Sequence, residues 1–210
     1  MTDYAGKHVV VTGGAGALGA AVVKLLEAQG AACHVPMVDL TGEDAVAAFY
    51  AGLPALWASI HVAGGFAMGK IEHTTLADFQ KMLGTNGVTC FLCSREAVTM
   101  MRRSGAGGRI VNVAARPALS PAGGMAAYAA SKAVVASLTQ NLAVELTADR
   151  ILVNAVVPSI MDTPANRASM PKADFSRWPK VEEVAAAIVW LASPGNTLTS
   201  GALVPVYGAA

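Results

Sequence analysis

A short β-branched run from Lys7 to Thr12 passes directly into Gly13-Gly-Ala-Gly-Ala-Leu-Gly19. A helical pattern follows to about Gln29, where Gly30 supplies a stop. A buried strand that turns on glycines into a helix restricts the chain to a few α/β architectures, and the turn has a chemical consequence. Glycines let the backbone come close to a pyrophosphate, and the start of the helix presents unpaired N–H groups and the positive end of its dipole. Gly13, Gly14, Gly16, Ala17, Leu18 and Gly19 are therefore the expected dinucleotide-binding residues.

The rest of the chain continues the alternation. Residues 7–12, 31–38, 56–63, 109–114, 151–157 and 202–206 read as strands, and helices are expected near 17–29, 43–52, 75–102, 123–147 and 181–192. This pattern predicts a single-domain α/β fold of Rossmann type over residues 1–210, a doubly wound parallel sheet with helices on both faces and ligands at the carboxyl ends of the strands. Residues 159–178, with Pro164 and Pro171, break the alternation and are expected to form a substrate-covering insert.

Tyr128 and Lys132 stand four apart in Tyr-Ala-Ala-Ser-Lys, so on a helix they share a face and can converge on one point. An ammonium beside a phenol favours the phenolate, which would let Tyr128 exchange a proton with a substrate near neutral pH.

Composition narrows the alternatives. A net charge of +1 leaves no basic surplus for nucleic acid. No apolar run approaches a membrane span, and the N-terminus leads straight into the first strand without a signal peptide, so a cytoplasmic protein is expected. The mean hydropathy of +0.48 is high for such a protein and points to a homo-oligomer, a dimer or tetramer, that covers apolar helix surface. Cys90-Phe-Leu-Cys93 lies in an apolar helical stretch without a second Cys/His pair at zinc spacing, and His8, His34, His61 and His73 are scattered, so no metal site is expected.

Thr12 to Gly19, His61-Val-Ala-Gly64, Asn86, the Tyr128/Lys132 pair, Val153 to Pro158 with Thr163-Pro164, and Ser200 to Leu203 together resemble the short-chain dehydrogenase/reductase family over nearly the whole chain. The resemblance implies an NAD(P)(H)-dependent oxidoreductase that passes hydride to a small molecule. Tyr128 would be its proton donor, Lys132 would hold a cofactor ribose, and Asn86 would hold a relay water or the helix geometry. It also implies cofactor contacts at Ala63, Gly64, Pro158 and Thr163.

The departures sharpen this reading. The family's serine thirteen residues before the tyrosine is Ala115 here, with Ser120 as a candidate substitute, and the middle glycine of the turn is Ala17. The segment Met161 to Trp178 and Val62-Ala-Gly-Gly-Phe66 resemble the dihydropteridine reductases within that family. A quinonoid dihydropterin, or another C=N or quinonoid acceptor, needs no serine to stabilise an alkoxide.

The family's helix between its second and third strands is missing from 30–41. Asp39 is either the carboxylate that binds ribose hydroxyls or a contact to adenine. With no Arg or Lys nearby, the balance tilts slightly to NAD(H) over NADP(H). A carbonyl reductase or alcohol dehydrogenase, a non-catalytic dinucleotide sensor and an oligomeric scaffold remain as alternatives.

Overall fold

The structure is a computed structural model that describes residues 4–209. Strands β1 (His8–Thr12), β2 (Ala32–His34), β3 (Ala58–His61), β4 (Gly108–Val113), β5 (Ile151–Pro158) and β6 (Leu203–Val206) form one parallel sheet in the order β2-β1-β3-β4-β5-β6. The helices are α1 (Ala17–Glu27), α2 (Glu43–Ala51), α3 (Leu76–Met82), α4 (Thr89–Ser104), α5 (Ala126–Glu145), α6 (Pro164–Ser169) and α7 (Val181–Ala192). Because side chains alternate across a strand, Val9 and Val11 pack with α1 and α7 on one face, while Val10 packs with α2 and α4 on the other. Covering both faces is what makes the strands continuous apolar runs.

Three expectations are corrected. The second strand ends at His34 rather than at residue 38, since Pro36 cannot donate to a ladder; Met37 and Val38 are exposed, and the chain bends into α2. The helix expected to be missing between the second and third strands is present as α2, which begins just after residues 30–41 and leads from the edge strand β2 to β3. The helix expected over 75–102 is continuous from Leu76 to Ser104, with a π-helical stretch at Leu83–Val88 between α3 and α4. The insert 159–178 is more ordered than its sequence suggests. It contains α6 and a 3-10 turn at Phe175–Arg177, and it is pinned by Asp162–Arg167 (2.6 Å), by Asp162 N–H donating to Pro179 O (2.9 Å) and by the tilted contact of the Phe175 and Trp178 rings (centroids 5.0 Å apart).

A buried polar chain ties α2, β3, β4 and α5 together. The Thr139 hydroxyl donates to Val135 O, so it must accept from Asn112 Nδ2 (2.8 Å), which leaves Asn112 Oδ1 to accept from His61 Nδ1 (2.8 Å). His61 Nε2 then accepts from Ser59, whose oxygen lies 2.7 Å from the Tyr50 hydroxyl. Burial lowers the His61 pKa to about 4, so the imidazole is neutral and structural.

Candidate active site

The strand order changes direction around β1: β2 lies on one side and β3 on the other, and the carboxyl ends of β1, β3, β4 and β5 border a cleft of about 790 Å³. Its nucleotide side is built from backbone. Thr12 Oγ1 accepts the Ala63 N–H (3.0 Å) and joins the ends of β1 and β3. Gly13 has φ +68°, and a Cβ there would meet Ala63 N at 2.8 Å. A Cβ on Gly19 would overlap the Gly13 carbonyl. Gly16 caps α1 without a side-chain hydrogen bond, and Ala17, Leu18 and Gly19 follow as its first residues and line the cleft. Their N–H groups are the orphan donors of a helix start, which is the donor set a pyrophosphate requires. Gly14 differs: its Cβ would strike Val35 at 2.8 Å, so it packs against the chain after β2 and is absent from the cleft wall.

Asp39 lines the cleft with Val38, Leu40 and Thr41. Its carboxylate accepts from the Thr41 N–H (2.9 Å) and hydroxyl (2.7 Å), which hold its pKa below the usual carboxylate range. Immediately past the end of β2 stands Val35, packed on Gly14, so that position carries neither acid nor base. Ala63, Gly64, Pro158 and Thr163 all line the cleft. Gly64 has no room for a side chain, because a Cβ would meet Asn86 Oδ1 at 2.6 Å and Lys132 Nζ at 3.2 Å.

The structure brings Tyr128 and Lys132 onto one wall, as their spacing requires, but their electrostatics differ from expectation. Lys132 is 6% exposed and its ammonium donates to Val113 O at 2.8 Å; burial lowers its pKa to about 8. Burial also pushes the Tyr128 phenol up to about 12. The expected phenolate is therefore not the resting form: burial disfavours the charged phenolate, and Tyr128 stands protonated as an acid. Phe66 packs edge-on against the Tyr128 ring, centroids 4.9 Å apart.

Asn86 lies behind the wall rather than in it. Its amide nitrogen donates to Gly65 O (3.1 Å) and Ser131 Oγ (2.9 Å), and its oxygen accepts the Gly65 N–H (2.9 Å). Ser131 in turn donates to Tyr128 O (2.7 Å). Asn86 thus fastens the Gly64–Gly65 loop to α5 and acts as a positioning residue. Ala115 is in the wall, buried, and Ser120 is exposed and outside it, so Ser120 does not replace the missing hydroxyl.

Cys90 and Cys93 are buried in α4, and burial pushes their thiols up to about 11 and about 12, away from the thiolate form. Among the described residues no group of three or more His, Cys, Asp or Glu is placed to hold a metal ion, and no helix is long and apolar enough to cross a membrane.

Sequence reasoning missed Phe66, Thr85, Ser159, Met161 and Asn166 as cleft residues. Three of them lie in the interrupting segment 159–178, which was the available signal; nothing in the sequence distinguished Thr85.

A family model described as Enoyl-(Acyl carrier protein) reductase matches residues 2–208. The chain is 32% identical to cis-4-hydroxycyclohexanecarboxylate dehydrogenase of Sinomonas cyclohexanicum, over 98% of this chain and 96% of that protein. It is 30% identical to 2-dehydro-3-deoxy-L-rhamnonate dehydrogenase (NAD(+)) of Sphingomonas sp., over 98% and 95%. A crystal structure of a dehydrogenase/reductase from Sinorhizobium meliloti superimposes with a TM-score of 0.86 at 26% identity, covering 99% of this chain and 96% of that one.

Proposed function

This chain belongs to the short-chain dehydrogenase/reductase family and is an NAD(P)-dependent oxidoreductase, and from that premise we propose that it reduces a C=N or quinonoid ring acceptor such as a quinonoid dihydropterin. The observation that carries this reading is the cleft wall at Ala115: no hydroxyl stands there, and Ser120 does not reach it. Alkoxide or carbonyl chemistry gains from a second hydroxyl beside the tyrosine, whereas a ring that takes up hydride and is protonated on nitrogen requires one proton donor.

The residues present fit a dinucleotide. Gly13 and Gly19 leave a cradle that a side chain would fill, and the start of α1 faces it. The nicotinamide, when bound, supplies the hydride. The N–H groups of Ala17 to Gly19 hold the pyrophosphate, Lys132 holds a ribose hydroxyl, and Thr163 with Pro158 holds the nicotinamide side. Tyr128 donates the proton to the acceptor nitrogen, its neutral form favoured by burial. Asn86 keeps the 64–65 loop and α5 in register.

NAD(H) is the preferred cofactor in this reading, since Asp39 is the charged group on the adenosine side of the cleft and would repel a 2′-phosphate. The relative named as NAD(+)-dependent accords with it. The flap 159–178 covers the acceptor. Exposed Phe91 on α4, Val144 on α5 and Trp190 on α7 support a homo-oligomer.

A second reading, a carbonyl reductase or alcohol dehydrogenase, is favoured by the name of the Sinomonas relative, which acts on a ring alcohol. Purified protein with NADH, and separately with NADPH, is to be offered quinonoid dihydropterin and a cyclic ketone while nicotinamide absorbance is followed. Fast oxidation with the pterin is expected. Turnover with the ketone alone would favour the second reading.

A further inference from the structure

Where the chain leaves β5, two polar side chains of the cleft lining have their donors engaged within the protein. The Asn166 side-chain nitrogen donates to Met161 O at 2.8 Å, and its backbone N–H donates to Thr163 Oγ1 at 3.2 Å. The amide orientation is therefore set: reversing it would put two acceptor oxygens in contact. Among the described residues, Asn166 Oδ1 receives no hydrogen bond. Ser159 repeats the pattern. Its hydroxyl proton is committed to Tyr207 O at 2.7 Å, and its lone pairs are left over.

Both residues line the cleft, with Met161 beside them and Phe66 packed on the Tyr128 ring. The charged side chains of that lining are two. Asp39 follows β2 on the far side of the sheet, and Lys132 is held on Val113 O.

We propose that Asn166 and Ser159 are specificity-determining residues that select an uncharged, flat ring whose edge presents N–H or amino donors. Two acceptor oxygens between apolar side chains complement such an edge. A carboxylate or phosphate placed there would meet two acceptors with no cation to neutralise it, and an alkyl ketone would leave both unpaired. This inference rests on the oxidoreductase reading and narrows its substrate class.

The test uses binding, so that it is independent of turnover. NADH affinity is first measured by nicotinamide fluorescence; absence of binding would overturn the underlying reading. The NADH-saturated protein is then titrated calorimetrically with 2-amino-4-oxopteridine and with its 3-methyl-2-dimethylamino derivative, which keeps the ring and loses the edge donors. Wild type should prefer the donor-bearing ring by roughly tenfold or more, as two neutral hydrogen bonds allow. Asn166→Leu should reduce that preference to within about threefold, the residue of Ser159 alone. Asn166→Asp, which keeps an acceptor but cannot donate to Met161 O, should retain it. Equal affinity for the two rings in wild type, or no affinity for either with NADH bound, would overturn the assignment. Loss in the Asp variant equal to that in the Leu variant would also overturn it, by assigning Asn166 to loop structure.

Discussion

The two sides of the cleft are made of different material. Around β1 and α1 the wall is backbone: Gly13 and Gly19 lie against neighbouring main chain so closely that a single Cβ would collide, and the polar groups offered there are N–H groups of a helix start. Around β4, α5 and the end of β5 the wall is side chain: Tyr128, Phe66, Met161, Ser159 and Asn166. A backbone site tolerates little change because atoms of the fold occupy the space around it. A side-chain site can be re-cut one residue at a time, and here Ala115 shows such a re-cut from the family's serine.

The contrast predicts a graded set of responses. Gly19→Ala should do the most damage, since its Cβ overlaps the Gly13 carbonyl; overpacking at this point should cost about 3 kcal/mol and lower NADH affinity by roughly 100-fold, read from thermal unfolding and fluorescence titration. Wild-type affinity in that variant would break the comparison, because the nucleotide wall would then be as forgiving as the substrate wall.

The pH dependence separates two residues of the side-chain wall. Lys132 has its pKa lowered to about 8, so its ammonium is present below that pH and lost as pH rises through it. NADH affinity should fall across that interval, by up to about tenfold if one charge-assisted hydrogen bond is lost. Tyr128, pushed up to about 12, keeps its proton over the same range, so the proton-donating step should not titrate there. Affinity that stays flat through pH 8 would remove Lys132 from cofactor binding.

Smaller effects are expected at the edges. Ala115→Ser should raise turnover of a cyclic ketone by about fivefold, the worth of one neutral hydrogen bond, and leave ring reduction unchanged, measured as kcat/KM on both acceptors. Asp39→Asn should improve NADPH binding relative to NADH by a few-fold only, roughly threefold, because the carboxylate is exposed and screened. Competitive titration of the two cofactors would measure it.

How much the sequence revealed follows the same division. Glycines betray a close-packed turn because their spacing shapes it, and the strand-turn-helix at Gly13 to Gly19 was legible for that reason. The fold was legible through six apolar runs and their intervening helices. Gly14 was misplaced because its crowding comes from Val35, twenty-one residues away, and contact at that distance is not written in local pattern.

The phenolate expectation for Tyr128 failed because spacing reveals which residues share a helix face but not how deeply the phenol is buried. Asn86 stood out through family resemblance, yet its partners Gly65 and Ser131 come from a loop and a helix, so only the folded chain shows that it faces away from the cleft. Ser159 and Asn166 were invisible because what distinguishes them is which of their atoms are already engaged.

The most direct test of hydride transfer with Tyr128 as the acid is a single turnover of the NADH complex carrying deuterium at the transferred position, with quinonoid dihydropterin as acceptor, in wild type and Tyr128→Phe. Wild type should oxidise the deuterated NADH measurably more slowly than protiated NADH, because the hydride leaves in the step being followed. The variant should bind NADH within about twofold of wild type and react about 100-fold more slowly or worse, as loss of a general acid requires. Nicotinamide oxidation at the wild-type rate in Tyr128→Phe, or equal rates with deuterated and protiated NADH in the wild-type single turnover, would contradict the account.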